Sequence, residues 1–346
     1  MIYIQDPLVY PDPKSVITGH AMPIFGQTLG MNFKDLIYCN VAKQLQDKNS
    51  IVVPSWTNMF HYNDTIGLDI AKELFYFPKP ALSSTTISNI CWPSLGASEI
   101  ETNHLFKEWC INTFNNDDIN LICSRIIGFS HIITVNSKLR SIFKDAISFL
   151  KIKPHIREAA NEYINNTLTT NKYISLGIRT SGYTRVFSKI AKLSEQEFYT
   201  KLLYNYRNIL HKKIKEYETN IVYVASESLN TIVDFIALCK KDQRFKFINF
   251  YFNDQNKRSD SYKYKKYTEK ETISYYQSLV KEAFIMGLGL SHTTSISHFQ
   301  FFASMITNSN WTVINEPSLE NISNENIMKH WNQFIDNNVL NNKQAF

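Results

Sequence analysis

Residues 173–183 read YISLGIRTSGY, and the fold of this chain is decided there. The apolar first half predicts a buried strand that ends at Ile178, and Arg179 follows it directly, beside a turn of small residues. Ligands bind at the carboxyl ends of strands in open α/β sheets, and a guanidinium group matches two oxygens of a phosphate at once. The stretch alone is equally compatible with a surface arginine at an ordinary junction between strand and loop.

Strand and helix patterns alternate through the second half of the chain. Apolar runs and periodic apolar positions predict, in order, strand 221–225, helix 230–239, strand 245–250, helix 271–284, strand 311–314 and helix 323–337. The helix before them begins with Ser194 and Glu197, the spacing of a capping box, and is predicted to run to about Tyr217. The run Thr293-Thr294-Ser295 is predicted to open a further helix. The alternation predicts an α/β fold with a parallel sheet covered on both faces.

The first half carries a weaker form of the same pattern. A glycine-bearing turn at 25–32 leads into apolar positions from Phe33 to Leu45 at helical spacing, and a short buried strand is predicted at 51–53. Turn, helix and strand are half of an α/β repeat, with the helix N-terminus aimed at whatever lies near Gly30. The turn lacks the full GxGxxG pattern, so it is only a weak indication of phosphate binding.

The chain has one candidate domain boundary. Helices are also predicted at 101–115, 137–150 and 156–164. The polar stretch 165–171 that follows shows no periodicity. We therefore predict an N-terminal domain over 1–165 and a C-terminal domain over 166–346.

Composition narrows the class of protein. A chain of 346 residues with 44% hydrophobic content is long enough for two domains, each with its own core. The formal net charge of +6 is compatible with an anionic substrate, whereas the lysines are too scattered to indicate nucleic acid binding. The five cysteines form no CxxC or Cys/His cluster, so neither a disulfide framework nor a zinc site is predicted.

The location of the protein is also an expectation from the sequence. The first residues lack the basic and long apolar regions of a signal peptide, and no run of about 18 apolar residues is present. We expect a cytoplasmic protein without a membrane span. The composition, rich in Asn and Lys and poor in Gly, indicates an AT-rich genome and a bacterial or viral origin.

Three strand-to-helix junctions of the second half carry polar residues, at Arg179, at Ser226-Glu227 and at Thr293-Thr294-Ser295. Parallel strands present their carboxyl ends on one edge of a sheet, so these residues are expected to converge. Backbone N–H groups and hydroxyls at a helix start can hold a phosphate, whereas the carboxylate of Glu227 suits a base edge or a ribose hydroxyl. Each junction alone is also compatible with a helix cap or a solvated loop.

Several segments resemble motifs of the GDP-fucose protein O-fucosyltransferases and the related α1,2- and α1,6-fucosyltransferases. Residues 221–228, IVYVASES, are similar to the family's strand followed by Ala-Thr-Asp-Ser. Residues 177–182 resemble its His-x-Arg motif, and residues 294–297 resemble its Ser-Ser-Phe-Ser motif. Residues 26–32 and 41–56 resemble its opening Gly-x-x-Asn-Gln turn, Ala-Lys helix and Val-Pro-x-Trp strand. The segments occur in the family order and span most of the chain.

The resemblance implies a GT-B architecture, with two Rossmann-like domains facing each other across a cleft. The domain over 1–165 would be on the acceptor side, and the domain over 166–346 would bind the nucleotide-sugar. It also implies inverting, metal-independent transfer of fucose from GDP-fucose, without a further cofactor, to a glycan or protein hydroxyl. Arg179 would be the catalytic residue, binding the β-phosphate and stabilising the departing diphosphate. Glu227 would take the place of the aspartate that contacts guanine. The implied donor-binding residues are Gly30, Asn32, Gly177, Ile178, Glu227, Thr294 and Ser295, the last two through phosphate oxygens.

The chain departs from the family pattern at two of these positions. Gly177 stands where the motif has histidine, and Glu227 is one methylene longer than the family aspartate. A catalytically inactive nucleotide-sugar-binding protein of the same fold is therefore an open alternative. No general base can be identified; candidates by position alone in the first half are Asp35, His61, Asp64 and Glu99.

Overall fold

The computed structural model describes residues 2–5, 29–46, 48–54, 56, 68–78, 89–90, 137–180, 183–253, 268–295, 297–307 and 311–313. The helices predicted at 101–115 and 323–337 lie outside these residues. The candidate bases His61, Asp64 and Glu99 also lie outside them.

The first half contains a small parallel sheet. Its elements are, in chain order, β1 (Ile2–Gln5), α1 (Leu29–Gln46), β2 (Ile51–Val53), α2 (Ile70–Leu74), β3 (Phe75–Tyr76), β4 (Asn89–Ile90), α3 (Ser137–Ala146) and β5 (Lys151–Ile152). The strand β1 lies between β2 and β4, and both pairings are parallel. Buried Asn40 ties α1 to this sheet, because its amide donates to the carbonyl of Val52 and accepts from the N–H of Val52, at 2.9 and 3.0 Å.

The second half supplies the larger sheet and its helices. Its elements are α4 (Pro154–Tyr163), a π-helical turn (Ile164–Leu168), β6 (Ile174–Ile178), α5 (Tyr183–Ala191), α6 (Glu195–Tyr217), β7 (Ile221–Ser226), α7 (Leu229–Lys240), a 3₁₀ turn (Gln243–Phe245), β8 (Asn249–Tyr251), α8 (Glu269–Leu288), β9 (Ser291–Thr294), α9 (His298–Ile306) and β10 (Trp311–Val313). The capping box predicted at Ser194 and Glu197 is present, and α6 ends at Tyr217 as predicted.

The larger sheet has the strand order β10-β9-β6-β7-β8, and all its pairings are parallel. The chain runs from β6 outward through β7 to β8 and then returns to the other side of β6 for β9 and β10. This reversal is the topological switch point of a doubly wound sheet. The predicted α/β class with parallel sheets is confirmed. The switch point lies between β6 and β9.

The two faces of β6 and its neighbours pack against different helices. One face presents Ile174, Leu176 and Ile178 to α5, α6 and α7, while the other packs against α4, α8, α9 and α1. The alternation follows from the two-residue period of a strand, and covering of both faces is confirmed. The core between the sheet and α1, α4, α8 and α9 combines side chains from both halves of the chain. The division at residue 165 stays a prediction.

Three local predictions are wrong. Helix α1 begins at Leu29, so Gly30 and Asn32 lie in its first turn and not in a turn that precedes it. Thr293 and Thr294 belong to β9 and do not open a helix, because pairing with β6 on one side and β10 on the other holds them extended. The strand predicted at 245–250 is shorter and later, at Asn249–Tyr251. Helix α5 was not predicted, although its positions 186, 187 and 190 are apolar at helical spacing.

We expect Leu176→Ala to lower the free energy of unfolding by about 2–5 kcal/mol, because Leu176 is fully buried in the central strand and its removal leaves a cavity. Leu229→Ala is the matched control, since Leu229 is 37% exposed at the start of α7. Urea unfolding followed by circular dichroism measures both. Equal losses in the two variants would contradict the central position of β6.

Candidate functional site

The candidate site lies at the switch point, where β6 and β9 end side by side. Gly177 pairs with Thr294 in the β6–β9 register and with Ala225 in the β6–β7 register. Arg179 follows β6, Ser295 follows β9 and Glu227 follows β7. The crevice outside the carboxyl ends of strands at a switch point is where doubly wound sheets bind ligands. The structure therefore brings five of the predicted site residues to one edge.

Thr294 and Ser295 connect the two central strand ends. Both are buried, and the Thr294 hydroxyl donates to the carbonyl of Ser295 at 2.8 Å. The Ser295 N–H donates to the carbonyl of Gly177 at 3.4 Å, and the Ser295 hydroxyl accepts from the N–H of Arg179 at 3.2 Å. These bonds hold the loop that carries Arg179 against β9. Direct contact of the two hydroxyls with phosphate stays a prediction.

Arg179 presents a positive charge at this edge. Its side chain is half-buried, and within the part of the chain that the structure describes its guanidinium forms no hydrogen bond or ion pair. Its backbone, in contrast, is fixed by Ser295. A partly desolvated guanidinium with no carboxylate partner is suited to an anion with two oxygens available, such as a phosphate.

Glu227 holds the same loop from the other side. Its Oε1 accepts from the N–H of Thr180 at 2.5 Å, and Thr180 Oγ1 lies 3.5 Å from that oxygen. Thr180 Oγ1 is also 2.8 Å from the hydroxyl of Thr231 in α7. One carboxylate oxygen of Glu227 thus positions the residue next to Arg179. The predicted contact of Glu227 with a base stays a prediction.

Gly177 lies under a side chain that sequence reasoning missed. A Cβ built on Gly177 would lie 2.6 Å from Cδ of Gln300 and would clash with its Nε2. Gln300 is in α9 and is 7% exposed. A glycine inside a strand often marks the close approach of another group, and that signal was available in the sequence.

A buried histidine stands behind Gln300. His292 Nε2 lies 2.8 Å from Oε1 of Gln300, and His292 Nδ1 lies 2.6 Å from the hydroxyl of Ser175. Ser175 and His292 pair across β6 and β9, on the same sheet face as Gly177. Full burial lowers the pKa of His292 to about 3, so the imidazole is neutral at physiological pH.

The remaining predicted residues approach from elsewhere. The side chain of Ile178 is buried in the core on the opposite face of the sheet, so only its backbone faces the strand end. Gly30 and Asn32 are buried in the first turn of α1. The adjacent Phe33 packs edge-to-face on Phe302 of α9, with ring centroids 4.8 Å apart. This contact joins the first turn of α1 to the helix that follows Ser295. Asp35 lies in α1.

Among the described residues, no group of three or more His, Cys, Asp or Glu side chains is placed to hold a metal ion. No helix in the described ranges combines the length and apolar character that crossing a bilayer requires.

The chain is similar in structure to solved fucosyltransferases. A structure of POFUT1 in its apo form aligns over 91% of this chain and 97% of that chain, at 11% identity and a TM-score of 0.47. NodZ alpha-1,6-fucosyltransferase soaked with GDP-fucose aligns over 88% of this chain and 92% of that one, at 9% identity and a TM-score of 0.45. The fucosyltransferase NodZ from Bradyrhizobium aligns over 80% and 89%, at 9% identity and a TM-score of 0.40. No protein-family profile and no curated protein matches the sequence.

The low pKa of His292 makes stability depend on pH. The unfolded chain binds a proton at this residue near pH 6.5, whereas the folded chain does so only near pH 3. The unfolded state therefore binds more protons between these values, and stability rises with pH through this window. We expect this group to lower the free energy of unfolding by about 2 kcal/mol from pH 7 to pH 5.

Chemical unfolding of wild type and His292→Gln at the two pH values measures this dependence. The substitution should remove the contribution of His292 from the pH slope. His155→Gln, at an exposed position of α4, is the control and should keep the wild-type slope. A His292→Gln slope equal to that of wild type would show that His292 titrates normally in the folded protein.

Proposed function

We propose that this protein is a glycosyltransferase that transfers fucose from GDP-fucose to a hydroxyl of a glycan or protein, with inversion and without a metal ion. The observation that carries the proposal is half-buried Arg179 at the switch point, whose guanidinium is unpaired within the described residues and whose backbone N–H is held by Ser295. The order of the motifs along the chain supports GDP-fucose as the donor.

The chemistry follows from where charge develops. In an inverting transfer the acceptor oxygen bonds to the anomeric carbon while the bond from that carbon to the diphosphate breaks. The leaving diphosphate gains negative charge, and the acceptor hydroxyl loses its proton to a base or to solvent. A guanidinium that binds two diphosphate oxygens, on a backbone that is already held in place, stabilises this charge more in the transition state than in the bound donor. No metal ion is required for that step.

The loop contacts make Arg179 a suitable group for this role. Ser295 holds its N–H from β9, and Glu227 holds the N–H of Thr180 from β7. The backbone on both sides of the arginine is therefore fixed before any ligand arrives, and little reorganisation is needed when charge develops. Glu227 is kept from binding the phosphate itself, since two anions repel each other.

Arg179→Ala should lower turnover of GDP-fucose by about 10²–10³-fold, the range measured when one stabilising donor is removed from an active site. Arg179→Lys should fall between this variant and wild type, because it keeps the charge and loses the two-pronged geometry. Arg185→Ala, an exposed arginine of α5, is the control. Release of GDP with and without glycan acceptors measures turnover, and circular dichroism checks the fold. Near-normal turnover in a folded Arg179→Ala variant would contradict the proposal.

A second candidate is a nucleotide-sugar-binding protein without transferase activity. The observation that favours it is Gly177, which stands at the motif's histidine position and leaves no room for a side chain beside Gln300. A thermal-shift screen of GDP- and UDP-sugars, followed by calorimetric titration, separates the candidates. Ligand at 100 times its Kd should stabilise the fold by about 2.7 kcal/mol. Tight binding of GDP-fucose, with neither hydrolysis nor transfer to any acceptor tested, would favour the binding protein.

A further inference from the structure

Gln300 fills the space that a side chain at position 177 would occupy. Its amide lies directly over the Cα of Gly177, on the sheet face that carries Ser175, His292 and Thr294. Gln300 is 7% exposed to solvent, so it is not fully enclosed. Within the described residues, the amide makes its hydrogen bond with His292.

The orientation of this amide follows from a chain of hydrogen bonds that starts at a backbone carbonyl. The Ser175 hydroxyl lies 2.5 Å from the carbonyl of Met286, which can only accept, so Ser175 donates to it. Ser175 Oγ therefore accepts from His292 Nδ1–H, at 2.6 Å. A neutral imidazole with its proton on Nδ1 can only accept at Nε2.

The group that faces His292 Nε2 must consequently be a donor. The two ends of a glutamine amide are assigned from their partners, so the amide atom of Gln300 that lies 2.8 Å from His292 Nε2 is reassigned from Oε1 to the NH₂ group. The amide carbonyl then points away from His292 and takes the position over Gly177. An acceptor is thereby placed at the carboxyl end of β6, two residues before Arg179, roughly 7 Å along the strand.

We propose that the carbonyl of Gln300 accepts a hydrogen bond from a hydroxyl of the sugar whose diphosphate is bound by Arg179. A carbonyl oxygen repels phosphate and accepts from hydroxyl groups, so the partner is a sugar hydroxyl and not the diphosphate. The carbonyl lies at the same strand end as Arg179, so the sugar linked directly to the bound diphosphate is the neighbouring part of the donor. Ser175 and His292 are positioning residues, because they act only by orienting the amide. The inference rests on the proposed function and specifies which part of the donor this face of the site recognises.

The test compares calorimetric affinities of the full chain for GDP and for GDP-fucose. Gln300→Met keeps the length of the side chain and removes the carbonyl, so the affinity for GDP-fucose should fall about tenfold while that for GDP is unchanged. Gly177→Ala should lower the affinity for GDP-fucose more than that for GDP, because the added Cβ displaces the amide from the opposite side. Gln196→Met, at an exposed position of α6, is the matched control and should change neither affinity.

The positioning role has its own variant. Ser175→Ala removes the acceptor of His292 Nδ1–H, which frees the imidazole to carry its proton on Nε2 and turns the Gln300 amide. The affinity for GDP-fucose divided by the affinity for GDP should then fall toward the value of that ratio in Gln300→Met. A purely structural role of Ser175 would lower the melting temperature and leave the ratio at its wild-type value.

The outcomes separate this inference from the proposed function. Wild type that binds GDP-fucose more tightly than GDP, with a ratio unchanged in both Gln300→Met and Gly177→Ala, overturns the role of Gln300 and leaves the proposed function standing. Equal losses of both affinities in Gln300→Met would place Gln300 against the nucleotide, and they would also overturn its proposed contact with the sugar. Wild type that binds neither ligand overturns the proposed function, and this inference with it. Either variant that folds is sufficient for the test.

Discussion

The backbone carbonyl of Gly177 is the point on which the candidate site depends. It accepts from the hydroxyl of buried Tyr206 in α6 at 2.6 Å and from the N–H of Ser295 after β9 at 3.4 Å. These bonds join the central strand to a helix on one face and to the neighbouring strand end. Because a buried carbonyl must be paired, the end of β6 has one stable position. Arg179 is the first residue after β6, so the position of its backbone follows from that of the strand end.

A second constraint is the polar chain buried on the other face of the sheet. His292 and Ser175 are completely buried, on the sheet face that is covered mainly by apolar side chains of α1, α4, α8 and α9. Burying polar groups is unfavourable unless each finds a partner, and here each does, from Met286 through Ser175 and His292 to Gln300. A connected chain of this kind restricts a side chain to one orientation more effectively than apolar packing does. The site is thus held by backbone bonds at Arg179 and by side-chain bonds at Gln300.

The predictions that succeeded depend on neighbouring residues. The capping box of α6 is confirmed because Ser194 and Glu197 satisfy each other's backbone groups within one turn. The strand at β6 is confirmed because its length and apolar run allow no competing helix. The prediction for Thr293 and Thr294 is wrong, since hydroxyls before an apolar run are compatible with a helix start, and only pairing with β6 and β10 selects the extended form. Gln300 was missed because Gly177, the residue its amide covers, is on a strand more than a hundred positions earlier in the chain.

The sequence by itself determined the alternation of strands and helices, the α/β class, and the arrival of an arginine at the end of a buried strand. Those properties follow from local periodicity and from the short range of capping bonds. Only the tertiary structure decided that β9 lies beside β6, that Ser295 and Glu227 hold the loop of Arg179 from two sides, and that Gln300 lies over Gly177. This is because β6 and β9 pair through residues more than a hundred positions apart, such as Ile174 and Ser291. No local pattern encodes which strand will be the neighbour.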